Sequence, residues 1–140
     1  ILRSKVDSIA NSATHSHKII IMGDLNDTPD DPSVKEVLIC DSLLRNLFAD
    51  TENLGFEGTL KHGFHWQGFD QIIISKDLID NDVGLSYKNG SASIFHADFL
   101  FTKDETYGGV KMFRTYIGPK YCGGYSDHLP VYIDLWNNSE

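Results

Sequence analysis

Apolar and polar positions recur along this chain on two periods, one helical and one extended. In "ILRSKVDSIANSAT" at the start, Leu2, Val6, Ile9 and Ala13 fall at helical spacing, which predicts an opening helix with a single apolar stripe. "KIII", Lys18 to Ile21, is a continuous apolar run and predicts a strand buried on both faces. "PDDPSVKEVLI" then predicts a second helix. Asp30 or Asp31 can cap it, Pro32 suits its first turn, and Val34, Val37 and Leu38 share one face. Helix, strand, helix is the rhythm of an α/β chain.

Farther along, "LLRNLF" reads as a short helix and "GFEGTLKHGFHWQG" as a loop or ragged hairpin rich in glycine and aromatics. "FDQIIIS" is a strand whose period of two sets Asp70, Ile72 and Ile74 on one face, so a carboxylate stands in line with core residues. "DVGLSY" and "SASIFHADFLF" are further strands, and "PVYIDLW" is the last, with Val131, Ile133 and Leu135 inward. Residues 103–127 form a long Gly-rich segment without a clear period. Loops of that length in compact domains tend to be functional or mobile.

Composition narrows the class. At 140 residues and 41% apolar content the chain fits one domain with a real core. No run reaches the ~18 apolar residues of a membrane span and no basic-then-apolar leader precedes the first helix, so a soluble chain is the default expectation. The sequence opens without Met and already inside a helical pattern. It therefore reads as a piece of a longer protein, which leaves its compartment open. The cysteines Cys40 and Cys122 fit no zinc or redox spacing and read as buried thiols. His15 and His17 read as a solvated linker rather than a metal site, His62, His65 and His96 have no partner spacing, and Trp66, Phe64 and Phe69 read as core.

A net charge of −8 argues against a general nucleic-acid coat. Locally the balance reverses: between Thr106 and Ser126 there is no acid, while Lys111, Arg114 and Lys120 are interleaved with aromatic residues. A small anionic substrate could use that patch, although basic residues in a loop are commonly just solvated.

Candidate chemistry sits where apolar runs end in acids. In "IIIMGDLND", Asp24 and Asn26 are two apart, so an extended chain projects both to one side while Leu25 turns back toward the core. An aspartate can orient or deprotonate a water, and an asparagine can donate N–H to a phosphoryl oxygen without adding negative charge. The plainer reading is a strand closing in an Asx turn. A calcium loop is a poor fit, with Pro29 and Lys35 where Gly and Glu are needed. In "GGYSDHLPVYIDL", a loop delivers Ser126, Asp127 and His128 to the head of a strand. His128 can serve as a general acid or a cationic phosphate contact once a carboxylate holds its other ring nitrogen, and Asp70 is the candidate. The plainer reading is a surface Asp-His pair before Pro130.

Together, "IIIMGDLND", "FDQIIIS" and "GGYSDHLPVYIDL" are more specific than any one of them. The set resembles the carboxyl-terminal half of the endonuclease/exonuclease/phosphatase superfamily, the deoxyribonuclease-I-like phosphoesterases, over nearly the whole chain. The resemblance implies an α/β fold, one half of a four-layer α/β sandwich with a mixed sheet flanked by helices. It implies that Asp24 aligns or deprotonates the attacking water, that Asn26 steadies the phosphorane-like transition state, and that Asp70 orients His128 toward the scissile phosphate. Asp127 would belong to the site of a divalent cation, Mg²⁺ or Mn²⁺. Lys111, Arg114 and Lys120 are weaker candidates for holding substrate.

The family's amino-terminal half supplies an early Asn, a metal-binding Glu and a second His, and none has a clear counterpart here. Glu36, Glu52, Glu57, Glu105 and Glu140 do not end apolar strands with a matching neighbour. The expectation is half of an active site. The full-length protein would be a metal-dependent phosphoesterase acting on a small phosphoester rather than long nucleic acid, and the isolated chain would be inactive. The alternative is a binding or interaction module that keeps the fold without turnover. A half-sandwich would also leave the inner sheet face near Ile20, Ile72 and Ile133 bare, to be covered by the missing half or by a second copy.

Overall fold

The computed structural model describes residues 1–12, 17–80 and 83–138. Ala13, the expected end of the opening stripe, His15 of the H-x-H, Asp82 of the "DVGLSY" run and Glu140 lie outside the described residues. The chain opens with helix α1 (Leu2–Asn11), as its period requires, but only Val6 of its stripe is buried. Arg3 ties the helix down by pairing with Asp7 at 2.7 Å and Asp41 at 2.5 Å and donating to the Leu38 carbonyl at 3.2 Å.

Strand β1 (Ile20–Asp24) follows, then a short helical segment, Ser33–Leu38. The segment is widened at its end, where the Ile39 N–H donates to the Val34 carbonyl at 2.9 Å. It buries Val34 and Leu38 but leaves Val37 61% exposed. Strands β2 (Leu44–Asn46), β3 (Leu60–His62), β4 (His65–Gln67), β5 (Asp70–Ser75) and β6 (Gly84–Tyr87) come next. They are followed by β7 (Ser93–Ile94), β8 (Phe101–Lys103), β9 (Val110–Met112), β10 (Tyr116–Ile117), β11 (Lys120–Tyr121), β12 (Val131–Tyr132) and β13 (Leu135–Asn138). The architecture is α/β with few helices, and the ladders among the described residues are all antiparallel.

A three-stranded sheet of order β1-β5-β2 positions the chemistry, and the remaining strands form short two-stranded ladders. β5 is the strand buried on both faces: Gln71 through Ser75 are all buried. Ile72 and Ile74 pack on one side with Ile94, Leu100 and Leu129, and Ile73 on the other with Val6, Val34, Leu38 and Leu44. The sequence places β1 in that role, but among the described residues it is an edge strand, paired with β5 alone, and its Met22 is 64% exposed.

Other expectations change for equally local reasons. "LLRNLF" is not helical, because Leu44 and Asn46 alternate with the exposed Arg45 and pair along β5. "SASIFHADFLF" breaks into β7, a single helical turn at Asp98–Leu100, and β8. "PVYIDLW" divides between β12 and β13, and its Leu135 is exposed. The long segment 103–127 carries β9 and the β10–β11 ladder. Cys40 is exposed and Cys122 half-buried, both as free thiols. His17 is no solvated linker: its Nε2 is buried, without a hydrogen-bond partner among the described residues. The face near Ile72 is not bare either, since Ile72 is 2% exposed and Ile20 and Ile133 pack against the same cluster.

Candidate active site

The site is built on the first pair of the β1–β5 ladder. Asp24 stands opposite Asp70 in the register. The flanking pairs carry the ladder bonds, with Leu25 N–H donating to the Phe69 carbonyl and Ser75 N–H to the Ile19 carbonyl, each at 2.9 Å. Alternation therefore makes Asp24–Asp70 a non-hydrogen-bonded pair, the kind in which opposite Cα atoms approach to about 4.5 Å and side chains share a face. Like charges so placed cost a few tenths to about 1 kcal/mol and favour a cation beside them.

His128 stands beside this pair. Its Nδ1 lies 2.6 Å from Oδ2 of Asp70, and both side chains are mostly buried. A carboxylate accepts, so Nδ1–H donates and Nε2 is the ring nitrogen not engaged by Asp70. Ser126 Oγ accepts the backbone N–H of His128 at 3.1 Å, which shapes the turn that presents the ring.

Thr59, absent from any motif, sits beneath this pair. It is fully buried, its Oγ1 accepts the Asp70 N–H at 3.2 Å, and its carbonyl accepts the Leu129 N–H at 2.8 Å. Both partners of the dyad are thus referenced to one residue. Gln71, also fully buried, does the same for the acidic loop. Its Nε2 donates to the Asp27 carbonyl at 2.6 Å while its Oε1 accepts from Asn46 Nδ2 at 2.7 Å. Gln71 was legible as the polar residue inside an apolar strand, but Thr59 carries no such signal.

The acidic loop also contains the Asx turn that the plainer reading foresees. Asp24 Oδ1 accepts the Asn26 N–H at 2.9 Å, and Asn26 turns left-handed at φ 54°. The strand therefore ends at Asp24, and the period-of-two argument stops short of Asn26. Asp27 accepts from Ser33 Oγ at 2.5 Å. Asp31 accepts from the backbone and hydroxyl of Thr28, which hold its carboxyl below the usual range. So Asp31 braces the loop backward rather than capping the helix with its side chain.

Asp24, Asp70 and His128 therefore come together, with Asn26 two residues beyond Asp24. Asp127 is exposed next to His128, and its side chain has no hydrogen bond or ion pair among the described residues. Lys111 and Arg114 line a common cavity, whereas Lys120 is exposed on β11, outside that lining. Among the described residues no group of three or more His, Cys, Asp or Glu side chains converges as a metal site. Glu105 is occupied by Lys103 at 2.9 Å. What these residues offer is an exposed carboxylate, Asp127, without further protein donors gathered around it among the described residues. That suits Mg²⁺, which keeps several waters and takes one or two carboxylates plus phosphate, and not a closed zinc site.

The sequence model of the Endonuclease/Exonuclease/phosphatase family matches residues 1–137. The chain belongs to the endonuclease/exonuclease/phosphatase family. No curated protein and no solved structure matches it. Membership in the endonuclease/exonuclease/phosphatase family places the chain among phosphoesterases and nucleases, hydrolases as a class. Among the described residues no helix is long and apolar enough to cross a membrane.

Proposed function

We propose that this chain carries the water-activating and phosphate-contacting side of a divalent-metal-dependent phosphoesterase. The observation behind this is the His128–Asp70 hydrogen bond at 2.6 Å with Asp24 opposite Asp70 on the same strand pair. Asp24 orients a water and takes its proton as the water oxygen bonds to phosphorus, in line with the departing ester oxygen, whose P–O bond breaks. His128, fixed through Nδ1, turns Nε2–H toward a non-bridging phosphate oxygen and offsets the charge that grows there. Asn26 offers a neutral donor beside the same oxygens. Asp127 would hold the cation, whose contribution when bound is to neutralise phosphate charge.

Because the described residues bring together no three-donor group, we assign the remaining metal ligands to the full-length domain, and the 140 residues alone turn over slowly. The substrate on this reading is a small phosphoester. A second reading, a binding module without turnover, draws on one observation: Asp24 Oδ1 is already engaged by the Asn26 N–H. One assay separates them. In the full-length protein, hydrolysis of bis(p-nitrophenyl) phosphate with Mg²⁺ or Mn²⁺ should fall about 10²- to 10⁴-fold in Asp24→Ala and in His128→Ala. Full activity in both variants would overturn the assignment.

A further inference from the structure

Among the larger cavities lined by described residues, one has unbalanced charge. It encloses about 410 Å³ and sets Lys61, Lys111 and Arg114 against a single acid, Asp104. Cavities compared with it are balanced: one of about 700 Å³ sets Lys35 and Arg45 against Asp30 and Asp50, and smaller ones pair Lys88 with Asp134 or Lys103 with Asp98. In a chain of net charge −8, a cationic cavity is a departure that needs a reason.

Asp104 does not neutralise it. The carboxylate is buried, accepts Lys61 Nζ at 2.9 Å and the Thr106 and Tyr107 N–H groups at 3.1 Å each, and reaches Lys111 only at 3.9 Å. Lys61 in turn also donates to the Gly108 carbonyl at 2.7 Å. These two side chains satisfy one another. Arg114 has no ion pair among the described residues, and with Lys111 it makes the surplus. Met112, Phe113 and Ile117 give the cavity apolar walls.

The cavity is also wired to the His128 loop. The Phe113 carbonyl accepts the Tyr125 N–H at 2.7 Å, the Arg114 carbonyl accepts the Gly124 N–H at 3.2 Å, and Thr115 Oγ1 donates to the Tyr125 carbonyl at 2.5 Å. Ser126, Asp127 and His128 follow directly. On the other side Phe113 N–H donates to the Leu100 carbonyl at 2.7 Å. A ligand held here is held in fixed relation to the loop that presents the histidine.

We propose that this cavity seats the non-reacting end of the substrate: a second phosphate on Arg114 and Lys111, with an apolar body against Met112, Phe113 and Ile117. The assignment rests on the hydrolytic reading of the His128 site and names its substrate class, a small molecule bearing two phosphate groups. A guanidinium fork matches phosphate oxygens in pairs, an ammonium adds a point charge, and the volume lies within the range of small-molecule sites.

The test is a titration of the protein with inorganic pyrophosphate, followed by backbone amide NMR. Saturable shifts should centre on Lys111 to Arg114 and on Lys61 and His62. Arg114→Gln and Lys111→Gln should each weaken binding about tenfold, with Arg114→Lys between Arg114→Gln and the parent. An unchanged Kd in Arg114→Gln and Lys111→Gln, or shifts confined to Ser126–His128, would overturn the proposal. A second measurement compares kcat/KM for a bisphosphate ester with that for bis(p-nitrophenyl) phosphate, and the preference should fall about tenfold in Arg114→Gln and by less in Arg114→Lys. Turnover retained in His128→Ala would sink the hydrolytic reading while leaving the pyrophosphate result standing, so the two failures are distinct.

Discussion

The hydroxyl of Thr59 accepts the backbone N–H of Asp70 at 3.2 Å, and the same residue's carbonyl holds Leu129, next to His128. One buried threonine thus spaces the two members of the dyad. Thr59→Val keeps the shape and removes the acceptor, leaving the Asp70 N–H unpaired. The expected loss is about 1–3 kcal/mol in urea unfolding, together with a fall in kcat in the full-length protein. Thr59→Ser should restore kcat more fully than stability, since it returns the hydroxyl without the methyl. Equal kcat in the valine and serine variants would mean that the dyad does not depend on this bond.

The opposition of Asp24 and Asp70 predicts a trade between stability and turnover. Asp24→Asn removes one of two like charges on adjacent strands and keeps an oxygen to accept the Asn26 N–H. The variant should be more stable by a few tenths to about 1 kcal/mol, and hydrolysis should collapse with it. A destabilised variant would show that Asp24 is paired with a cation in the resting protein.

The central strand and the two motif loops were legible because each carries its own signal. In β5 the run Ile72–Ile74 and the aspartate two before Ile72 specify both a buried strand and a carboxylate on its face. Burial on both faces was assigned to β1 by the same reasoning, and there it fails. An apolar run does not say whether the strand is central or at an edge, and Met22 shows it is at an edge. Residues 43–48 mix leucine spacings that suit either period, and pairing with β5 decides in favour of a strand. Thr59 and the cavity around Arg114 were illegible for a different reason. Each depends on segments distant in sequence meeting in space: residues 67–70 and 129 around Thr59, and residues 61–63, 102–107 and 111–122 around the cavity.

Asp104 makes stability depend on acid. The Lys61 ammonium, then the Tyr107 and Thr106 N–H groups, hold its carboxyl down to about 2 against the opposing effect of burial. An unfolded aspartate titrates near 3.9. The contribution is therefore fully present above about pH 4 and is lost as pH falls through about 2, because only the unfolded chain binds the proton in between. Asp104→Asn should be clearly less stable than the parent in urea unfolding at about pH 5. The gap should close as both approach about pH 2. A gap independent of pH would assign the effect to packing rather than to charge.

Gly123 and Gly124 separate backbone strain from close approach in the loop that carries His128. Gly123 has φ 78° with open space around it, so Gly123→Ala costs only conformational strain, about 1–2 kcal/mol. At Gly124 an added Cβ would fall onto the Phe113 carbonyl and lie 2.7 Å from the Arg114 carbonyl oxygen. Backbone cannot give way as a side chain does. Gly124→Ala must therefore push segment 122–125 off segment 113–115, lengthening the Gly124–Arg114 and Tyr125–Phe113 hydrogen bonds that join the cavity to the dyad loop. The expected result is a larger loss of thermal stability than at Gly123 and, in the full-length protein, a fall in kcat that Gly123→Ala does not share to the same degree. Pyrophosphate binding should weaken in Gly124→Ala as well, since Phe113 and Arg114 form the displaced wall. Equal effects at the two positions would show that the loop and the cavity move independently, and the coupling between them would have to be abandoned.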